Sequence, residues 1–322
     1  MRFSFQIMLK GLAMGAAEIV PGVSGGTIAF ITGIYERLIE AIKAFDWTLL
    51  KVYSESGLTG IWKKVDGWFL VSLLSGMIIG LISGIFFISY LLENYPVLVW
   101  AFFFGLIVCS AVLMGKKIGA WRIREILLLL LGISVAFYIT TVSPAQGYEA
   151  LWYVFICGMI AVTALILPGI SGSFMLLLLG MYTFLLYTVR EWLSTFGFEY
   201  FIYIVIFLGG CTVGLFGFSR LLSWTFKHYR YPTLAILIGF IVGSLNKIWP
   251  WRNPVIWLDP DGNRYYDYPV EMPVESLKIL KESNVMPNYF YGDPMIVPAI
   301  VSFLFGLIVI YFLDRQITQE NF

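Results

Sequence analysis

Two short strings hold the residue types that could do chemistry in this chain: Pro21-Gly22-Val23-Ser24-Gly25-Gly26-Thr27 and Pro168-Gly169-Ile170-Ser171-Gly172-Ser173. Each lies in a long hydrophobic run and leads to a Gly-apolar-Tyr triplet, Gly33-Ile34-Tyr35 and Gly180-Met181-Tyr182. The offset between copies is 147 for both features (168 − 21 and 182 − 35). Pro lacks an amide donor and Gly weakens a helix, so a Pro-Gly pair interrupts one. Almost no polar sequence surrounds either pair, so the interruption is expected at membrane depth. Backbone groups freed there cannot face hydrocarbon and must be buried in protein or line a wet cavity. A half-helix starting after each break presents unpaired amides and a positive dipole end. Gly25, Gly26 and Gly172 admit close approach to the backbone, and Ser24, Thr27, Ser171 and Ser173 add hydroxyls. The expected chemistry is anion binding at helix N-termini. A single copy would be read as a kinked helix capped by Ser and Gly; two copies at matched spacing favour a substrate site.

Glu18 stands in the apolar run three positions before Pro21, and its counterpart in the second copy is Leu165. An ionisable group inside a membrane is a functional candidate. It could carry a coupling proton or gate against a second anion; alternatively, a protonated Glu18 bonds the freed backbone. Arg37 is a candidate head-group contact, although Glu36 and Glu40 beside it favour an interfacial ion pair. Tyr35 and Tyr182 either line the cavity or sit in the aromatic belt. Arg220 reads as a snorkelling anchor.

Gly22-Val23-Ser24-Gly25 and Gly169-Ile170-Ser171-Gly172 also fit the Gly-x-Ser-Gly string of membrane serine proteases. The single histidine, His228, lies in a basic turn, and one base cannot serve two symmetric serines. No zinc-protease, nucleotide-loop or CxxC string is present, so neither catalysis, a metal nor another cofactor is expected. Cys109, Cys157 and Cys211 lack metal-like spacing and read as small buried hydrophobes.

The elements that must position these residues are membrane spans. The 322 residues are 59% hydrophobic and 13% charged, with mean hydropathy +0.84, the profile of a polytopic membrane protein. A net charge of +1 gives no support for a nucleic-acid partner. The N-terminus lacks a cleavage site and reads as mature sequence. Helical runs are expected over 4–20 and 24–42, then spans at 67–92, 97–114 and 124–142. The order restarts with 151–167 and 171–189, then spans at 199–222, 232–248 and 294–313. Tyr95-Pro96 echoes Tyr231-Pro232, and Gly105-Leu106-Ile107-Val108 echoes Gly239-Phe240-Ile241-Val242 once a two-residue gap is allowed. Gly76/Gly80 and Gly210/Gly214 repeat a small-xxx-small spacing suited to helix packing in lipid.

The expected fold is therefore all-α, with two repeats over 1–145 and 146–322, each a Pro-Gly-broken, re-entrant hairpin followed by three spans. Lysines and arginines gather in 43–66, 115–123 and 223–231, which places those loops and both termini in the cytoplasm. Three spans between the broken segments invert the second repeat relative to the first. Paired half-helix ends could then face each other near the midplane. The stretch 249–293, rich in Tyr, Trp and Pro, is expected as an ordered cap on the outer face.

The string from Ala16 to Thr27 with Gly33-Ile34-Tyr35, and Leu167 to Ser173 with Gly180-Met181-Tyr182, resembles the PopT-type polyprenyl-phosphate transporters. The resemblance spans nearly the whole chain. It implies a bacterial inner-membrane protein that returns undecaprenyl phosphate from the outer to the cytoplasmic leaflet, recycling a lipid carrier of cell-wall synthesis. The family's motif falls on Glu18, Pro21, Gly22, Ser24, Gly25, Gly26 and Thr27, and on Pro168, Gly169, Ser171, Gly172 and Ser173. The insertion at 249–293 is longer than the family pattern, so nothing about it transfers. The runner-up is an ion-coupled transporter or channel for a small soluble anion. Prenyl length, coupling by protons or sodium ions, and oligomeric state are left open by the residues.

Overall fold

The computed structural model describes residues 3–18, 24–142, 147–258, 264–265 and 278–320. Residues 19–23, which hold Pro21 and Gly22 of the first break, lie outside the described residues. The chain begins with α1 (Phe5–Ala17), α2 (Gly25–Ile31) and α3 (Tyr35–Lys43). After α4 (Thr48–Lys64) come α5 (Gly67–Asn94), α6 (Pro96–Lys116) and α7 (Ile123–Thr141). The second series is α8 (Leu151–Ile166), α9 (Gly172–Leu178), α10 (Tyr182–Thr195), α11 (Phe198–His228), α12 (Arg230–Ser244) and α13 (Ile296–Glu320).

Among the described residues, α5, α6, α7 and α11 are each long and apolar enough to cross a bilayer. The pair α9–α10 makes a fifth candidate, bent by 106° at its break. The expected span at 232–248 is shorter as a helix: α12 ends at Ser244, at 15 residues, or about 22 Å of rise. The segment 43–66, expected as a polar loop, contains α4, which buries none of its residues and breaks at Gly57 (φ 61°).

The Gly-apolar-Tyr triplets are helix stops, so the runs expected as continuous over 24–42 and 171–189 are each divided in two. Gly33 (φ 74°) and Gly180 (φ 69°) occupy the left-handed region that a side chain disfavours. The next amides reach back to the helix: Ile34 N–H donates to Ala29 O (3.0 Å) and Met181 N–H to Leu176 O (2.9 Å). This closure satisfies carbonyls at the end of each short helix. Tyr35 and Tyr182 then open the following helices.

Long helices pair through glycine. A Cβ on Gly76 or Gly80 would lie 1.9 Å from Met8 O or 2.0 Å from Leu12 O, so α5 and α1 touch backbone to backbone. Gly210 and Gly214 of α11 meet Phe155 O and Met159 O of α8 in the same way (2.0 and 2.6 Å). The α6–α13 pair rests on Gly105 against Phe303 O (2.1 Å) and Gly306 against Phe102 O (2.2 Å). The α12–α7 pair rests on Gly239 against Leu129 O (2.4 Å) and Gly132 against Ile236 O (2.4 Å). Close backbone approach maximises dispersion contact where no hydrophobic effect drives helices together.

These contacts align without a gap. Gly76, Gly80, Tyr95 and Gly105 correspond to Gly210, Gly214, Tyr229 and Gly239 at one offset of 134 (229 − 95 and 239 − 105). Tyr95 (φ −137°, ψ 50°) and Tyr229 (φ −137°, ψ 51°) adopt one conformation at the two interhelix turns. Tyr95 and Tyr229 thus share a turn conformation, whereas the sequence pairs Tyr95 with Tyr231 through the Tyr-Pro dipeptide.

The ends of α12 mark two faces. At its start Arg230 pairs with Glu36 (2.9 Å), and nearby Lys43 Nζ donates to Ser223 Oγ (2.7 Å), so the basic segments 43–66 and 223–231 share one face. Beyond its other end Asn246 Nδ2 donates to Thr140 Oγ1, and Asn284 Nδ2 to Asn246 O. There the expectation of an all-α chain fails: β1 (Arg252–Leu258), β2 (Arg264–Tyr265) and β3 (Lys278–Asn284) form an antiparallel sheet of order β2-β1-β3. Asn253, buried, anchors it by donating to Tyr289 O and accepting from Tyr291 N–H. Trp251 Nε1 donates to Pro294 O. An extramembrane insertion can form a sheet because its backbone is outside the constraint that lipid imposes.

Candidate functional site

The two strings meet. Ser24, the N-cap of α2, accepts from Gly26 N–H (3.0 Å) and donates its hydroxyl to Leu165 O (3.2 Å). Thr27 Oγ1 accepts from Gly169 N–H (2.8 Å). Gly169 (φ 86°) needs its glycine: a Cβ there would stand 2.6 Å from Phe240 O. Gly26 fits flat against the second string, since a Cβ would lie 2.7 Å from Ile166 O and 2.8 Å from Leu165 O. Thus one carbonyl, Leu165 O, and one amide, Gly169 N–H, released by the Pro168-Gly169 break are taken up by hydroxyls from the first string. Backbone groups buried at membrane depth find the partners they require.

The halves differ in depth. All seven residues of α2 are buried, whereas in α9 only Gly172 and Leu178 are. Glu18 caps α1 and places Oε1 2.6 Å from the Gly25 amide. This is the bond to freed backbone that the sequence offered as one of two readings. The position opposite Glu18 is Leu165, so no carboxylate caps Gly172. Ser171 N-caps α9, accepting from Phe174 N–H (3.5 Å), and its Oγ lies 2.9 Å from Ser173 Oγ. Ser173 is exposed. A Cβ on Gly172 would press on Ala161 O at 2.6 Å.

Beside the second break an apolar pocket of about 290 Å³ opens, walled by Leu167, Ile170 and Met175 and by Val135, Met159 and Phe240.

Other candidates are placed elsewhere. Tyr35 is buried, its ring between Phe30 (5.4 Å) and Phe226 (6.0 Å). Its hydroxyl has no hydrogen-bond partner among the described residues. Arg37 bonds Asp66 (2.7 Å) and stacks 4.4 Å above Phe69, an interfacial pair with a different acid from the two beside it in sequence. Tyr182 is 39% exposed at the start of α10. Arg220 donates to Phe216 O within its own helix. His228 Nδ1 lies 2.9 Å from Trp224 O. Cys157 is buried, and Cys109 and Cys211 are half-buried. Sequence reasoning missed the acceptor Leu165 O and the close contact at Ile166 O, which carry no side-chain signal.

Comparison with known proteins places these features in company. A family model described as undecaprenyl phosphate translocase-like matches residues 14–264. A polyprenyl-phosphate transporter of Vibrio cholerae is 45% identical over 249 residues, 77% of this chain and 79% of that protein. A polyprenyl-phosphate transporter of Staphylococcus aureus is 30% identical over 276 residues, 80% of this chain and 90% of that protein. No solved structure matches.

Proposed function

The chain belongs to the undecaprenyl phosphate translocase-like family, and on that premise we propose that it carries undecaprenyl phosphate from the outer to the inner leaflet of the bacterial cytoplasmic membrane. It works as two inverted repeats, 1–145 and 146–322, with both termini in the cytoplasm. The phosphate binds at the interlocked broken segments, first at Ser171, Gly172 and Ser173, the more exposed end. It reaches Ser24, Gly25, Gly26 and Thr27 by displacing the Glu18 carboxylate from the Gly25 amide. Like-charge exchange at one donor keeps that amide paired throughout. Glu18 thereby gates the site, and protonation of its displaced carboxyl supplies a route for proton coupling.

The observation that carries this reading is the apolar pocket against Leu167 and Ile170. It sets walls suited to a prenyl chain beside hydroxyl and amide donors suited to a phosphate. A carrier for a small soluble anion would need a polar path there instead. The recurring glycine contacts support the paired repeats, and the basic face at Arg230 and Lys43 supports the orientation.

Reconstitution in liposomes with a leaflet-specific assay of undecaprenyl phosphate is the test. Movement well above empty vesicles is expected. No movement with demonstrably folded protein would overturn the proposal and favour the soluble-anion carrier.

A further inference from the structure

A second pocket, of about 490 Å³, lies under the sheet between the end of α7 and α9. Its walls are of two kinds. Val142, Phe174 and Leu177 supply apolar lining, and Lys247, Arg252 and Lys281 supply cations, with Glu282 the one lining carboxylate among the described residues. The Arg252 side chain is 8% exposed; Nη1 bonds Glu282 at 2.8 Å and the guanidinium stacks 4.3 Å from the Trp100 ring centre. Its Nε is buried without a hydrogen-bond partner among the described residues. Lys247 is half-buried with its ammonium 5.1 Å from the Phe174 ring centre. Among the described residues no carboxylate lies within ion-pairing distance of it. Burial pushes the Lys247 pKa down, Arg252 adds to that shift, and Glu282 opposes it.

A buried guanidinium N–H without an acceptor, and an ammonium with no carboxylate in ion-pairing distance among the described residues, both hold free energy that a bound anion releases. Guanidinium and ammonium together match the several acceptor oxygens of phosphate. The apolar wall matches an alkyl group attached to it. Phe174, which lines the pocket, follows Ser173 directly, so the pocket adjoins the hydroxyl pair of α9.

We propose that this pocket binds the phosphate monoester group of an amphiphile, with Lys247 Nζ and Arg252 Nε as donors, as a vestibule to Ser171 and Ser173. Assigning the anion to the carried lipid rests on the transport reading above; a free phosphate ion shares the head group's chemistry. Neither cation belongs to the broken segments, and both lie in or next to the insertion at 249–293.

Calorimetry on the full chain in lipid nanodiscs tests this with farnesyl phosphate, farnesol and inorganic phosphate. Lys247→Met is expected to weaken farnesyl phosphate binding about tenfold or more, with Lys247→Arg restoring most of it. Farnesol is expected to bind at least tenfold more weakly than farnesyl phosphate. Inorganic phosphate displacing farnesyl phosphate at matched concentration would support the anion site and assign it to the soluble ion. Failure to displace, with Lys247-dependent binding retained, would support the lipid source. Wild-type affinity in Lys247→Met, or equal binding of farnesol, overturns the vestibule. Transport assays separate the two proposals. Lys247-dependent binding without wild-type transport sinks the transport reading alone. Unaltered binding and transport in Lys247→Met sink the vestibule alone.

Discussion

Gly26→Ala probes the contact between the two broken segments. The added Cβ would stand 2.7 Å from Ile166 O and 2.8 Å from Leu165 O. Ordinary carbon–oxygen contact needs about 3.3–3.6 Å, so the segments must part by about 0.6 Å. Both obstacles are backbone atoms, which cannot rotate away. Parting stretches the Ser24–Leu165 bond from 3.2 Å and the Thr27–Gly169 bond from 2.8 Å. Both then lie beyond the normal hydrogen-bond range. Two weakened buried bonds at about 1 kcal/mol each, or overpacking at about 1–3 kcal/mol, give about 2–3 kcal/mol against docking. That shifts the docking equilibrium by about 30-fold or more. Leaflet-specific transport in liposomes should fall at least tenfold, with a lower unfolding temperature. Gly217→Ala is the control, since no atom lies within 4 Å of its added Cβ; its transport should match wild type. Equal transport and unfolding temperature in Gly26→Ala and wild type would refute the interlock.

Thr27→Val keeps the shape but leaves the buried Gly169 amide without its acceptor, a cost of about 1–3 kcal/mol; Thr27→Ser should behave like wild type in thermal unfolding and transport. Glu18→Gln preserves an oxygen for the Gly25 amide, so folding should persist while transport loses its pH dependence across a pH series. An unchanged pH profile removes the proton role. Arg37→Ala breaks a partly exposed pair with Asp66, worth about 0–1 kcal/mol. Transport should be unaltered, and a large loss would return Arg37 to the head-group site.

Much of the fold was open to reading before any coordinates, because it follows from local backbone chemistry. Pro168-Gly169 breaks a helix wherever it stands, whereas Gly33 and Gly180 divide runs that the sequence reads as continuous, 24–42 and 171–189, because their left-handed φ shows only in the folded backbone. Glycines at four-residue spacing announced the helix contacts, since only a missing Cβ lets carbonyls come so near. The glycine spacing and the matching turns at Tyr95 and Tyr229 agree with the proposed repeat, and the second of these needed the turns' dihedral angles. The sheet β2-β1-β3 was not legible, because its strands lack the alternation that marks a half-buried strand.

What the sequence by itself determined was where the chain must break, where it must pack closely, and which hydroxyls stand at the breaks. Only the tertiary structure decided what those hydroxyls are spent on. Ser24 and Thr27 bond backbone atoms 141 and 142 positions away, and main-chain carbonyls carry no residue signature to predict it. The same holds for Glu18 on the Gly25 amide, for Tyr35 in the core, and for Lys247 and Arg252 in one pocket with Phe174. Local propensity comes from each residue's own geometry, whereas partnership comes from which surfaces the helices bury against one another.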